Sequence, residues 1–161
     1  MSSGAGIENG AGEGRRPVAW VGGATGFLGS HVVSELEARG HEVVPVSRSG
    51  GGGRARVVDV LDADAVSSSA RGCEWAFLCT GKVTRDRDDS EELYRLHVTG
   101  TKSALAGLRR AGVRRVVVAS TSGTLAVGTD RERIADEGCR APLELIAGWP
   151  YYRTKMYGER E

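Results

Sequence analysis

An α/β fold, with a doubly wound parallel sheet and helices on both faces, is the architecture this sequence predicts. Three observations carry the prediction. Short Val-rich runs, typical of strands buried on both faces, recur along the chain. Segments of helical period separate them. The first run enters a glycine cluster, "VGGATGFLG", and leaves it in a helix-patterned segment, which gives strand, tight turn and helix in that order.

Val18 to Val21 is the first strand. "FLGSHVVSELEARG" then places Phe27, Leu28, Val32, Val33 and Leu36 at helical spacing and closes on Gly40, a C-terminal cap. The second strand runs from about Glu42 to Ser47, with Pro45 awkward for an interior strand. A third lies near Ala55 to Val58. "DADAVSSSARG" is a short helix with Asp62 as its N-cap. Glu74 to Cys79 is the fourth strand, and Cys79 reads as a small core residue. One long helix covers Ser90 to Ala111, its apolar positions being Leu93, Leu96, Ala104, Leu105 and Leu108. Arg115 to Ala119 is the fifth strand, a loop covers Ser122 to Gly148, and a last helix starts near Trp149 and runs on to Glu161.

The 161 residues suit one domain. A formal charge of +1 gives no electrostatic case for nucleic acid or an anionic membrane. No apolar run approaches the ~20 residues that span a bilayer, and the N-terminus lacks the apolar stretch of a signal peptide, so a cytoplasmic location is expected. The three cysteines form no CxxC pair, which suggests neither a disulfide framework nor a metal site. Residues 1–16 read as a disordered tail and 17–161 as the folded domain. Gly10, Gly12 and Gly14 in the tail follow no strand and carry no motif.

Gly23, Gly26 and Gly29 stand between a strand and a helix, the context a phosphate loop requires. One glycine permits the turn, one lets backbone approach a pyrophosphate, and one lets helix pack on strand. The helix N-terminus adds free N–H groups and partial positive charge.

"GGATGFLGSHVV" resembles the cofactor loop of the extended short-chain dehydrogenase/reductases, the group of nucleotide-sugar epimerases, dehydratases and dihydroflavonol-4-reductase-like enzymes. The family usually has Thr or Ser where this chain has Gly22. Further segments match in order. "VVDV" resembles the adenine-contacting segment, with Asp59 and Val60. "FLCTG" resembles the segment flanking the nicotinamide ribose, with Thr80 and Gly81. "PYYRTKMYGER" resembles the YxxxK segment. The resemblance implies a Rossmann-like domain, C-terminally truncated with the substrate lobe absent, that binds a dinucleotide through Gly23, Thr25, Gly26, Phe27, Leu28, Gly29, Arg48, Asp59, Val60, Thr80, Gly81, Tyr151 and Lys155. It also implies a small-molecule carbonyl or nucleotide-sugar-like substrate, and a homodimer built through the long helix and the YxxxK helix.

No acidic residue lies between Val43 and Gly53, where NAD-preferring members carry the acid that binds the ribose 2′-OH. Arg48 can pair with a 2′-phosphate and Ser47 can add a hydrogen bond. NADP is therefore the expected cofactor and NAD the alternative, in which Arg48 is an ordinary solvated arginine.

Tyr151 and Lys155 are four residues apart, on one face of a helix. A free tyrosine ionises at pKa ~10, and bringing one to about 7 takes roughly 4 kcal/mol of phenolate stabilisation. A neighbouring ammonium and a positive nicotinamide ring can provide it. In the family the Tyr is the general acid/base, the Lys also holds the nicotinamide ribose, and a Ser or Thr orients the substrate oxygen. Tyr152 competes with Tyr151 but matches the spacing less well. Thr121 is the candidate hydroxyl by register and Ser122 the second choice. His97 stands where the family has an Asn in a water-linked proton relay; it is either a relay through its ring nitrogens or a helix residue with no catalytic task. A relay role predicts that His97→Ala slows turnover and spares cofactor affinity.

The expected activity is that of an NAD(P)-dependent oxidoreductase or epimerase/dehydratase, with hydride transfer at a carbinol or carbonyl carbon. The alternative is a truncated dinucleotide-binding module without turnover. "RDRDDSEE" reads as a solvated loop and helix start.

Overall fold

A computed structural model describes residues 15–125, 127–128 and 134–161. The expected tail therefore lies outside the described residues up to position 14. Five parallel strands form one sheet in the order β3-β2-β1-β4-β5. They are β1 (Ala19–Gly22), β2 (Val43–Ser47), β3 (Arg56–Val57), β4 (Trp75–Leu78) and β5 (Arg115–Val118). The order reverses direction at β1, so the switch point of the sheet stands at the glycine cluster.

Helices cover both faces. On one, α2 (Ala63–Ser69) and α4 (Gly100–Arg110) close over Trp20, Val44, Val46, Ala76 and Leu78. On the other, α1 (Phe27–Ala38) lays Val33 and Leu36 on Ala19 and Val21. Asp62 caps α2 as expected, its carboxylate accepting from the Asp64 and Ala65 N–H groups. Phe27 and Leu28 do not join the core; they stand exposed at the start of α1. No helix among the described residues is long and apolar enough to cross a membrane.

Pro45 fits the interior strand β2 for a geometric reason. The carbonyls of Glu42 and Val46 accept from Ala19 and Ala24 on the β1 side. Strand alternation then turns the Pro45 nitrogen toward β3, and β3 begins only opposite Val46. No ladder donor is lost.

Gly22 also has a local cause. A Cβ there would lie 2.7 Å from the ring of Trp20, which shares its face of β1. The Trp20 indole is fully buried and donates to the Ser69 hydroxyl at 2.9 Å, so it has little room to yield. Gly22→Thr, which restores the residue usual in the family, should cost about 2 kcal/mol through overpacking. That corresponds to a fall of about 4–8 °C in Tm. In a Trp20→Val background the cost should shrink. An equal cost in both backgrounds would exclude the indole as its source.

The long helix differs from the uninterrupted one expected. It comprises α3 (Ser90–Tyr94), a π-helical turn over Arg95–Thr99, and α4. The Gly100 N–H reaches back five residues to the Arg95 carbonyl, the mark of a π turn. The widened turn holds both His97 and Val98 inside. After a three-ten turn at Ser122–Thr124 comes α5 (Leu143–Ile146), inside the segment expected to be loop. The last helix, α6 (Pro150–Gly158), ends before Glu161. Gly158 is where it meets the π turn: a Cβ there would overlap the His97 carbonyl oxygen.

Candidate functional site

A cleft of about 500 Å³ lies across the C-terminal ends of the strands. Gly23, Thr25 and Gly26 line it after β1, Ser47 at the end of β2 with Arg48 and Ser49 beyond it, Asp59 and Val60 after β3, and Thr80, Gly81 and Lys82 after β4. Eight of the cofactor residues expected from sequence, Gly23, Thr25, Gly26, Arg48, Asp59, Val60, Thr80 and Gly81, thus meet in one place. Phe27, Leu28 and Gly29 do not line the cleft.

The glycines divide the work as the motif demands. Gly23 has φ +73°, and a Cβ on it would lie 2.9 Å from the Cys79 backbone. Its bareness lets the turn pass against the end of β4. Gly29 is buried below, where a Cβ would overlap the Gly23 carbonyl oxygen. The helix above them starts with no capping side chain and no acidic residue in its first turn. Its leading N–H groups face no carboxylate of their own element, an arrangement that suits an anion. The residues present therefore fit a dinucleotide pyrophosphate.

Two arginines flank the glycine turn after β2. Arg54 is spent on Glu37. Arg48 lines the cleft and has no carboxylate partner among the described residues. The Ser47 hydroxyl accepts from the Gly50 N–H at 2.9 Å, which shapes that turn. Asp59 accepts from the Leu61 N–H at 3.0 Å through one carboxylate oxygen.

Lys155, on α6, stands beside the cleft wall without lining the cleft. Its Nζ donates to the Ala119 carbonyl at 2.9 Å and stands close enough to Gly81 that a Cβ there would be 3.2 Å away. Burial pulls its pKa below the ordinary lysine value, against the opposing pull of Cys79 and Glu159. One turn earlier, the Tyr151 ring meets His97 edge-on at 5.7 Å and Tyr152 at 5.5 Å. Tyr152 occupies the space above Gly123, where a Cβ would overlap its ring. The Thr121 hydroxyl accepts from the Gly123 N–H at 3.2 Å and so caps the three-ten turn. None of Tyr151, Thr121 and Lys155 lines the cleft itself.

His97 is fully committed. Its Nε2 accepts from the Lys82 N–H at 3.2 Å, and its Nδ1 lies 2.9 Å from the Thr154 hydroxyl. A backbone N–H can only donate, so Nε2 carries no proton and Nδ1 does. Thr154 passes its own proton to the Pro150 carbonyl at 2.8 Å. Burial, with the Lys155 charge behind it, lowers the His97 pKa to about 4. This neutral, saturated ring ties the π turn to α6 and to the loop after β4. It has no free nitrogen with which to pass a proton.

Two sequence expectations need correction. Cys79 is not a core residue: as the residue after β4 it is half-buried and lines the cleft, and burial raises its thiol pKa. The charges after Gly81 are not merely solvated. Lys82 bonds Asp89 at 2.8 Å and Glu92 at 2.6 Å, and Lys82 and Glu92 both line the cleft. The available signal was position, since residues directly after parallel strands face the ligand side of such sheets.

The sequence profile of the NAD dependent epimerase/dehydratase family matches residues 19–161. Among curated relatives, sterol demethylase protein B of Methylococcus capsulatus is 33% identical over 150 residues, covering 88% of this chain and 44% of the relative. Cinnamoyl-CoA reductase 1 of Oryza sativa subsp. japonica is 31% identical, covering 82% and 43%. Among solved structures, MoeE5 in complex with UDP-glucose and NAD superposes with TM-score 0.76 at 30% identity, covering 88% of this chain and 46% of that one. A short-chain dehydrogenase/reductase superfamily protein from Agrobacterium tumefaciens with bound NAD gives TM-score 0.72 at 25% identity, covering 89% and 43%. The chain spans less than half the length of these relatives.

Proposed function

The chain belongs to the NAD dependent epimerase/dehydratase family, and on that premise we propose that it is an NADP-dependent oxidoreductase of the extended short-chain dehydrogenase/reductase type, acting at a carbonyl or carbinol carbon. The observation that carries this reading is the uncapped glycine turn in the cleft together with the half-buried Lys155, which stands beside Gly81 of the cleft wall. Gly23, Gly26 and the start of α1 bind the pyrophosphate, and Asp59 and Val60 flank the adenine. Thr80, Gly81 and Lys155 hold the nicotinamide ribose. The nicotinamide, when bound, supplies or accepts the hydride. Tyr151 moves the proton to or from the substrate oxygen, and Thr121 orients that oxygen. Lys155, one turn away, stabilises the phenolate.

Beside Tyr151 a pocket of about 160 Å³ is walled by Val83, Trp149, Pro150 and Tyr152, with Arg85 at its side. That lining supports a carbonyl compound with an apolar body more than a nucleotide sugar. Turnover is tested by following NADPH consumption with a small aromatic aldehyde and with UDP-glucose. Binding without turnover of either would leave a dinucleotide-binding module in place of an enzyme.

The cofactor preference has its own test. Arg48 lines the cleft free of a carboxylate partner among the described residues, which supports pairing with a 2′-phosphate. A charge-assisted contact contributes about 1.5–3 kcal/mol. NADPH should therefore bind at least about tenfold more tightly than NADH, and Arg48→Ala should remove most of the difference. Fluorescence titration of both cofactors decides it, and tighter NADH binding would overturn the preference.

A further inference from the structure

Arg85 gives the pocket beside Tyr151 a positive charge that hydride and proton transfer leave without a partner. The pocket lies where the loop after β4, carrying Val83 and Arg85, meets the start of α6. Three of its walls, Trp149, Tyr151 and Tyr152, are aromatic. The space is about 160 Å³, and a cavity of about 150 Å³ takes a benzene molecule. Its size suits one planar six-membered ring, which can lie offset on the aromatic walls or meet them edge-on.

The backbone that carries Arg85 is held on both sides. The Thr84 hydroxyl accepts from the Asp86 N–H at 3.0 Å, and the Asp86 carboxylate accepts from the Asp88 N–H at 3.0 Å. Lys82 ties down the ends of the loop through Asp89 at 2.8 Å and Glu92 at 2.6 Å. The same contacts decide the local charge. Asp89 and Glu92 are neutralised by Lys82, and the Thr84 hydroxyl bonds Asp89. Asp86 and Asp88 do not line the pocket. Arg85 is thus the one charged residue in the lining, and among the described residues no carboxylate pairs with its exposed guanidinium.

We propose that this pocket takes an aromatic oxo acid, a single ring that bears the reacting carbonyl at Tyr151 and a carboxylate paired with Arg85. The proposal rests on the reading of Tyr151 as the acid/base residue. Guanidinium and carboxylate are both planar and match through two parallel hydrogen bonds, so the pairing sets the direction of the ring as well as its charge. With the acid held at Arg85, the opposite end of the ring is the one presented to Tyr151. A neutral ring of the same size fills the walls but can turn end for end. A sugar ring would press its hydroxyls on Val83 and Pro150, which offer no side-chain hydrogen bond in return. Arg85 meets the acid and not the reacting atoms; it determines specificity.

Binding and turnover are measured separately. Ligand-observed NMR on the full chain compares 4-carboxybenzyl alcohol with 4-methylbenzyl alcohol, a neutral ring of similar shape. The acid should bind at least about tenfold more tightly. Arg85→Met keeps an apolar stem without the charge and should bring the two compounds within about twofold of each other. Arg85→Glu should bind 4-(aminomethyl)benzyl alcohol more tightly than the acid. The side chain is exposed, so both variants should fold. With NADPH, the ratio of kcat/KM for 4-carboxybenzaldehyde to that for 4-methylbenzaldehyde should fall at least about tenfold from wild type to Arg85→Met. Comparing ratios cancels the intrinsic reactivity of each aldehyde. Equal affinities in wild type, or a preference for the acid that survives Arg85→Met, would overturn the proposal. So would UDP-glucose that displaces the acid and loses affinity in Arg85→Met, since the anion would then be a diphosphate. Turnover of both aldehydes with the same ratio in wild type and Arg85→Met would overturn it and leave the oxidoreductase reading standing. An Arg85-dependent preference in a chain that turns nothing over would uphold the site and refute the enzymatic reading instead.

Discussion

Gly29→Ala should abolish dinucleotide binding and lower Tm by roughly 6–12 °C, the equivalent of about 3 kcal/mol. The added methyl would overlap the Gly23 carbonyl oxygen and crowd the Gly23 carbonyl carbon at 2.7 Å. Both are backbone atoms, and Gly23 is itself pinned against the Cys79 backbone. Neither side can swing away as a side chain would, so α1 must lift from β1. Lifting it undoes the contact of Val33 and Leu36 with Ala19 and Val21 and carries the leading N–H groups away from the cleft. Gly72→Ala is the control. Gly72 has φ +79° and nothing within 4 Å of an added Cβ, so it should cost only the left-handed backbone strain of about 1–2 kcal/mol and leave NADPH binding intact. Thermal melts and NADPH titration of the two variants give the comparison. Binding retained by Gly29→Ala would show that the turn tolerates displacement and that close packing of helix on strand is not what shapes the cradle.

Much of this geometry was legible because it depends on local pattern. The Val-rich runs located the strands, Asp62 located the start of α2, and the spacing of Gly23, Gly26 and Gly29 located the cleft. What escaped depends on contacts between distant segments. A π turn adds one residue to a helix turn, and the apolar pattern from Leu93 to Leu108 reads as regular with or without it. Cys79 ends an apolar run, and only the pairing of β4 with β1 and β5 reveals that it has already left the sheet. The grip of Lys82 on Asp89 and Glu92 requires the chain to fold back between them. The loose fit of Gly22 to the family pattern was visible in the sequence, and its cause stood two residues away in Trp20.

His97→Ala should destabilise the fold by about 3 kcal/mol, from a buried cavity together with an unpaired Lys82 N–H. Unlike a relay residue, it should also weaken NADPH binding, because that N–H fixes the loop of Thr80, Gly81 and Lys82 in the cleft wall. His97→Asn, with a carbonyl for Lys82 and an amide for Thr154, should recover part of both losses. The wild-type protein should show a matching pH signature. The His97 pKa is about 4 in the folded chain, against an ordinary value of 6.5. As pH falls below 6.5 the unfolded chain takes up the proton first, and the native state resists until about pH 4. Stability is thus fully present above pH 6.5 and lost as pH falls through that window. The loss should reach about 3 kcal/mol at the acid end. Carboxylates titrating nearby contribute equally to wild type and variant, so the difference between their stability curves isolates the imidazole. Urea melts of wild type and His97→Asn from pH 7 to pH 4 should converge as the pH falls. Parallel curves would mean that the ring takes up its proton as readily in the folded chain as in the unfolded one, which would return the proton-relay role to the histidine.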